Sequence, residues 1–225
     1  MQGRLAKLAE YCASVGNPLT EAQLLQFARL LDSLRTANAV KNLTRVPEDE
    51  WVTRHLIESC LILPWIQSGA RVLDLGTGPG FPALPLAIAR QDLDVVAIDS
   101  NAKMLGFAIQ MAIPNLKPIN GRIEDQSFAE QFDVVTGRAF APLAIQLECS
   151  AKPLKIGGVC LPFRSENDVL DGSWVGELGF ELAEVHRVQL ESDGPVRVFP
   201  EYRKVRKTPG KFPRQWATMK AKPLA

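Results

Sequence analysis

Histidine is nearly absent from this 225-residue chain, which has only His55 and His186. A histidine-rich zinc or iron centre is therefore not expected, nor any other metal site. Cysteine is also scarce. Cys12, Cys60, Cys149 and Cys160 form no C-x-x-C pair, and none has a histidine at metal-ligand spacing. They read as small apolar core residues of a protein kept in a reducing, cytoplasmic setting. No apolar run reaches the roughly 18 residues of a membrane span; the longest lies near residues 80–89. The N-terminus lacks the apolar stretch of a secretory signal. Gly-Lys-Ser/Thr does not occur, which excludes a P-loop. Gly and Pro, 16 each, follow no repeating period, so the chain is neither fibrous nor of low complexity. Nor is there an excess of one charge: 26 Lys and Arg stand against 25 Asp and Glu.

The residues that are present set a size and a division. With 46% apolar residues, the chain can build one full core and a small appendage without disulfide or metal. The balanced charge hides an asymmetry. Residues 201–225 hold eight basic side chains and one acidic, Glu201. The preceding 200 residues hold 18 basic and 24 acidic ones. A basic end on an acidic body is either a solubilising tail or a polyanion contact. Tyr202, Phe212 and Trp216 interleave with the basic residues, and aromatics are uncommon in solvated tails, which favours the contact.

Apolar spacing divides the chain further. Leu5, Leu8, Ala9 and Cys12 mark a first helix. Thr20 with Gln23 forms a capping box before a second, whose stripe of Leu24, Phe27, Ala28, Leu31 and Leu34 ends near Ala37. A third helix carries Trp51, His55, Leu56 and Ser59. Residues 1–65 thus form a helical extension packed on the α/β part of the chain. From residue 70 short apolar strands alternate with helices: strands at 71–75, 94–98, 116–119, 132–136 and 157–163, helices at 82–90, 103–111 and 143–151. Alternation of this kind gives a doubly wound α/β sheet over residues 66–200. Strands at 182–191 and 196–199, joined by a turn at Ser192-Asp193-Gly194-Pro195, add an antiparallel edge. Residues 201–225 are assigned to the basic, aromatic ending.

The strongest local signal is Val72-Leu73-Asp74-Leu75-Gly76-Thr77-Gly78-Pro79-Gly80. Its glycines permit a tight turn and close approach of a ligand to the backbone. Asp99 ends the next strand, where a carboxylate accepts from both hydroxyls of a ribose. The ligand is therefore a nucleoside-containing cofactor. Nicotinamide dinucleotides use G-x-G-x-x-G, whereas here the spacing is G-x-G-x-G. Asp74 at the mouth of the turn would repel a pyrophosphate and favour a cation. S-adenosylmethionine, with its sulfonium and ammonium groups, satisfies this charge logic.

Other segments extend the pattern over nearly the whole chain: Asn42-Leu43-Thr44, Arg54-His55-Leu56-Ile57-Glu58-Ser59, Asp99-Ser100-Asn101-Ala102-Lys103, Gly121-Arg122-Ile123-Glu124, Arg138-Ala139-Phe140-Ala141, and Lys207-Thr208-Pro209-Gly210-Lys211-Phe212-Pro213-Arg214. Together with the glycine turn they resemble the bacterial small-subunit ribosomal RNA methyltransferases, historically called glucose-inhibited division protein B. These modify guanine N7 in the 530-loop region of 16S ribosomal RNA. The resemblance implies a class I S-adenosylmethionine-dependent methyltransferase fold, a Rossmann-like mixed sheet with helices on both faces and a small helical N-terminal part. It places cofactor contacts on Gly76, Phe81, Ile123, Glu124 and Arg138, beside Asp74 and Gly78 from the turn and Asp99 at the ribose position. It links Asn42, His55 and Lys103 to RNA or base handling, and with Arg138 these are the catalytic candidates. Lys103, Arg164, Arg203, Arg206, Lys207, Lys211 and Arg214 are the substrate-binding candidates. The implied partner is small-subunit ribosomal RNA or the 30S particle, with no DNA or membrane partner, and the protein is expected to act as a cytoplasmic monomer.

Several of these residues have a plainer alternative. Arg138 suits a guanine O6 or a phosphate, but equally a cofactor carboxylate. Lys103 can hold phosphate or sit solvated; His55 can touch RNA or be structural; Asn42 can read a base or cap a turn. The chain also departs from the family pattern. Glu58-Ser59 replaces Asp-Ser, Gly137 stands where Ser is common, and Pro162-Phe163-Arg164-Ser165 replaces a Lys-Gly. The chemistry agrees with N7. The Asp/Asn-Pro-Pro-aromatic loop of amino-group methylation is missing after the fourth strand, as is the Pro-Cys pair of cytosine C5 methylation. N7 has an in-plane lone pair and no proton, so alignment and electrostatics suffice. Two alternatives remain: a methyltransferase for another RNA or a small molecule, and an RNA-binding protein that kept a methyltransferase core.

Overall fold

The computed structural model describes residues 2–190 and 194–224. Contacts divide the chain into two compact units: Met1–Ala70 with Thr77–Asn120, and Arg71–Gly76 with Gly121–Ala225. Seven strands form a mixed sheet.

The first unit contains helices α1 (Gln2–Ser14) and α2 (Glu21–Lys41) and a helical turn from Val52 to α3 (Glu58–Cys60). It continues with α4 (Ala83–Ala89), strand β2 (Asp94–Asp99), α5 (Ala102–Met111) and β3 (Leu116–Asn120). The capping box at Thr20 forms as the sequence predicts. Gln23 has a second task there. Its Nε2 donates to the carbonyls of Ile88 and Ala89, both at 2.9 Å, at the C-terminal end of α4. Asn115 Nδ2 takes Ala87, Arg90 and Leu93 carbonyls at 3.0–3.1 Å. The last carbonyls of a helix lack partners within it, so these amides close α4 without a glycine cap. The N-terminal helices therefore share a core with α4 and are no separate domain. Helix α2 runs four residues past Ala37 and stops at Asn42, in the left-handed conformation at φ +51°. Strands β2 and β3 pair in parallel, with Asp99 opposite Asn120.

The second unit contains β1 (Arg71–Leu75), β4 (Phe132–Arg138), α6 (Leu143–Ala151), β5 (Leu154–Phe163), α7 (Ser173–Leu178), β6 (Phe180–Val188), β7 (Arg197–Lys204) and α8 (Trp216–Ala221). Its strand order is β1-β4-β5-β7-β6. The first three run in parallel, with Asp74 opposite Thr136. The last two are antiparallel, the edge expected from the sequence. Of the turn assigned to residues 192–195, Ser192 and Asp193 lie outside the described residues.

The ending corrects the sequence reading. A boundary at residue 201 cuts through β7, and Lys204 is buried. Its Nζ donates to the Leu154 carbonyl at 2.7 Å and lies 3.7 Å from Glu130. Beyond β7 the chain stays fixed. Phe212 and Met219 are buried. Arg214 closes on the fully buried Glu148 of α6: its Nη2 is 2.6 Å from Oε2, and Nε and the backbone N–H reach Oε1 at 2.8 and 2.7 Å. Neither Lys204 nor Arg214 is a free charge, because a buried carbonyl and a buried carboxylate hold them. The sequence assigns Arg214 to substrate contact; the structure makes it a clasp.

Removing one partner of a fully buried ion pair costs about 3–5 kcal/mol, and less where one partner stays partly in water. The Arg214 side chain is 21% exposed. Arg214→Ala is expected to lower the unfolding free energy by about 2 kcal/mol. Urea denaturation followed by circular dichroism measures it, and an unchanged midpoint would contradict the clasp.

Candidate active site

The turn after β1 holds its three glycines in the left-handed region, with φ of +65° at Gly76, +59° at Gly78 and +113° at Gly80. Each has a different reason to lack a side chain. A Cβ on Gly76 would fall 2.5 Å from Phe140 Cδ2, and one on Gly80 would strike Leu84. At Gly78 nothing lies within 4 Å of the Cβ position, so the backbone there faces open space. Between them Thr77 is buried, and its Oγ1 has no hydrogen-bond partner. An unpartnered buried hydroxyl beside bare backbone fits a polar ligand lying along the turn.

Asp99 locks this turn to the end of β2. Its Oδ2 accepts the Gly78 N–H at 2.8 Å, and its Oδ1 accepts the Asn101 N–H at 2.7 Å. A carboxylate offers about four acceptor sites, so the two bonds leave capacity for ribose hydroxyls. Asn101 also caps α5, accepting the Met104 N–H. Lys103 stands exposed in the first turn of that helix.

His55 lies on a π-helical segment, Val52–Ile57, where the sequence predicts ordinary helix. Such wider turns re-aim side chains and often occur at functional sites. The buried His55 ring stacks on Phe81, centroids 4.6 Å apart and planes 17° apart, and its Nε2 lies 2.9 Å from Thr44 Oγ1. Glu58, which replaces the family Asp, meets Arg54 Nε at 3.3 Å. Asn42 is exposed, and its backbone caps α2. The first unit thus brings His55 and Phe81 together, and separately Gly78 and Asp99.

In the second unit Asp74 is fully buried in β1. Ile123 is buried at the start of the short helical turn Ile123–Asp125, where the Glu124 side chain is 3% exposed and 4.0 Å from Arg122. Arg138 ends β4, half-buried. Ala139 follows at φ +54°, an unusual conformation for a non-glycine residue and one that concentrates at functional sites. Phe140 comes next and packs on Gly76.

The sequence also assigns Arg164 to substrate contact, but the structure turns it inward. Its guanidinium bonds the Ala141 carbonyl at 3.1 Å and Gln146 Oε1. Burial pushes its pKa down, and the nearby Asp168 opposes that shift. The fully buried Gln146 donates in turn to the Gly137 carbonyl at 3.1 Å. A Cβ at Gly137 would sit 2.9 Å from Gln146 Nε2 and 2.7 Å from the Leu75 carbonyl. Glycine at 137, Gln146 and Arg164 are thus one packed arrangement behind the Arg138–Ala141 loop. Gln146 and Glu148 escape the sequence reading, although two polar residues within the apolar run Leu143–Ala151 are a readable signal.

The four cysteines are buried free thiols. Burial pushes Cys160 up to about 12 and raises Cys149 as well, while a hydrogen bond with Cys12, and then burial, raises Cys60. These three are protonated at neutral pH and are not poised as nucleophiles.

A glycine turn tied to a strand-end carboxylate, in a sheet of this kind, defines the class I methyltransferase fold. Solved structures agree. A TehB-like SAM-dependent methyltransferase from Corynebacterium glutamicum superimposes with a TM-score of 0.56 at 20% identity, covering 77% of this chain and 98% of that one. A SAM dependent methyltransferase from Aquifex aeolicus gives 0.53 at 15% identity, covering 74% and 97%. The sequence narrows the class. Residues 23–171 match the family model of rRNA small subunit methyltransferase G. A "Ribosomal RNA small subunit methyltransferase G" of Lactobacillus delbrueckii is 34% identical over 96% of this chain and 98% of its own. Another of that name, from Deinococcus radiodurans, is 35% identical over 88% and 85%. The chain belongs to the rRNA small subunit methyltransferase G family. No helix among the described residues is long and apolar enough to cross a membrane.

Gly76→Ala tests the turn. Left-handed backbone costs an L-residue about 1–2 kcal/mol, and the new methyl also displaces Phe140. The variant is expected to melt several degrees lower and to bind S-adenosylmethionine at least tenfold more weakly by calorimetry. Unchanged affinity would remove the turn from the cofactor site.

Proposed function

We propose that the protein transfers a methyl group from S-adenosylmethionine to N7 of one guanine in small-subunit ribosomal RNA, in the 530-loop region. The observation that carries this reading is membership of a ribosomal RNA methyltransferase family with the glycine turn and Asp99 intact. When bound, the donor supplies an electrophilic methyl group on a cationic sulfur. Asp99 accepts from the ribose hydroxyls with the lone pairs that Gly78 and Asn101 leave. Thr77 Oγ1 gains a polar partner along the turn. Asp74 contributes negative charge opposite a cationic ligand. Gly76, Phe81, Ile123, Glu124 and Arg138 complete the cofactor contacts by family resemblance.

The target atom needs little from the protein. Guanine N7 presents a lone pair in the ring plane and loses no proton, so neither a general base nor a thiolate is required. The protonated cysteines are consistent with that. Arg138 donates to the guanine O6 or to a phosphate and leaves N7 free. His55, with Phe81 and Thr44, is a positioning group on the substrate side, and Asn42 and Lys103 are exposed for RNA contact. Lys207 and Lys211, both exposed, hold phosphates, Lys211 from a loose, solvent-exposed pairing with Glu177 at 3.9 Å. Arg203 and Arg206 do so more weakly, because Arg203 already pairs with Glu201 at 2.5 Å and Arg206 bonds the Gly176 carbonyl. The partner is the ribosomal RNA, free or within the 30S particle, met by a cytoplasmic monomer. A methyltransferase for small molecules would have no use for the basic, aromatic ending.

Incubating the protein with labelled S-adenosylmethionine and either 16S ribosomal RNA or 30S particles, then mapping by mass spectrometry, tests the reading. One 7-methylguanosine in the 530-loop region is expected. No incorporation into either substrate, despite tight cofactor binding, would refute it. The charge-reversed pair Lys207→Glu and Lys211→Glu is expected to weaken RNA retention about tenfold or more while cofactor affinity stays within twofold. Retention equal to wild type would take these lysines off the RNA path.

A further inference from the structure

Trp216 begins α8, and the chain is fixed on both sides of it. Two residues earlier Arg214 is clasped by the buried Glu148, and Phe212 is buried before that. Three residues later Met219 is buried, its sulfur 4.0 Å from Cys149 Sγ. Terminal segments usually fray unless something ties them down. Here the ties flank a single indole that is only half-buried.

Its neighbours lead to the turn. The Trp216 ring lies 5.6 Å from Phe140, tilted by 54°. Phe140 in turn fills the space that a Gly76 side chain would need. The Arg122 guanidinium sits 5.7 Å from the Trp216 ring centre, and its side chain is 48% exposed. An indole, a phenyl ring and an accessible cation thus gather beside the first glycine of the turn, within one compact unit.

We infer that Trp216 and Arg122 form the seat of the target guanine: the indole stacks on the extruded base, and Arg122 takes the phosphate next to it. This rests on the methyltransferase reading above. A guanine drawn out of folded RNA loses its stacking partners, and an aromatic side chain replaces them without reading its edges. Such a contact leaves N7 free, as the reaction demands. It also explains why a basic ending is clasped to the body. A loose tail would gather RNA but would not place a base. Arg214 and Glu148 are then positioning residues that act through Trp216.

Trp216→Ala and Trp216→Phe, compared with wild type in single-turnover methyl transfer to the ribosomal RNA substrate, test this. Trp216→Ala is expected to slow transfer about tenfold to a hundredfold at saturating RNA, with cofactor affinity within twofold of wild type by calorimetry. Trp216→Phe is expected to recover most of the rate, which lost packing alone would not produce selectively at the transfer step. Arg122→Ala, a change at a half-exposed position, is expected to weaken RNA binding severalfold with cofactor affinity unchanged. A wild-type rate in Trp216→Ala would overturn the inference alone. So would a loss of cofactor affinity that matches the loss of rate, because the indole would then serve the donor. If Trp216→Ala fails to fold, Trp216→Leu decides on the same readouts. No transfer by the wild-type protein would overturn the methyltransferase reading and this inference with it.

Discussion

The Asp99 carboxylate is the contact on which the site depends. One oxygen takes the Gly78 N–H and the other takes the Asn101 N–H, while the Asp99 carbonyl accepts from Asn120 Nδ2. A single residue therefore fixes the glycine turn, the start of α5 and the end of β3. Each bond is short, and two are charge-assisted, which makes them stronger than neutral pairs. The consequence is pre-organisation. The backbone is set before a ligand arrives, and the carboxylate that sets it keeps capacity to bind one.

Much of this was legible in the sequence because it depends on local chemistry. Thr20 with Gln23 announced a helix start, and the structure forms that box. Gly76, Gly78 and Gly80 announced a turn, and all three have positive φ. The features that failed to show depend on distant partners. Arg164 and Arg214 look like any surface arginines in a basic sequence. Only the fold shows that Gln146 and Glu148, buried on α6, accept hydrogen bonds from their guanidinium groups. The π-helical turn at His55 was hidden for another reason: apolar spacing cannot separate a widened turn from an ordinary one over six residues. The strand expected at 196–199 extends to Lys204, past the segment boundary at residue 201, and the extension was hidden because a buried lysine within a strand reads as tail.

Two of the departures from the family pattern, at 137 and at 164, belong to one arrangement. Glycine at 137, Gln146 behind it and Arg164 beyond share a small volume, so none can vary alone. A lysine at 164 would supply the charge without the fork that bonds both Ala141 and Gln146. The lost family hydroxyl at 137 is offset by the Gln146 amide, which bonds the backbone carbonyl instead. These residues support the Arg138–Ala141 loop from behind.

The buried Lys204 and the clasped Arg214 change what the basic ending means in solution. Eight cations are written into its last 25 residues, but those two are spent inside the protein, and Arg203 and Arg206 are already partnered. Lys207, Lys211, Lys220 and Lys222 remain exposed, Lys211 with Glu177 3.9 Å away. Each phosphate neutralised on a single strand releases about 0.7 of a counterion, so four lysines account for a release of about three. If these four hold phosphates, a fourfold rise in salt weakens their hold by about fiftyfold. That is a smaller loss than eight free cations would show, and on the reading proposed above Lys103 and Arg122 on the body add their own share of it.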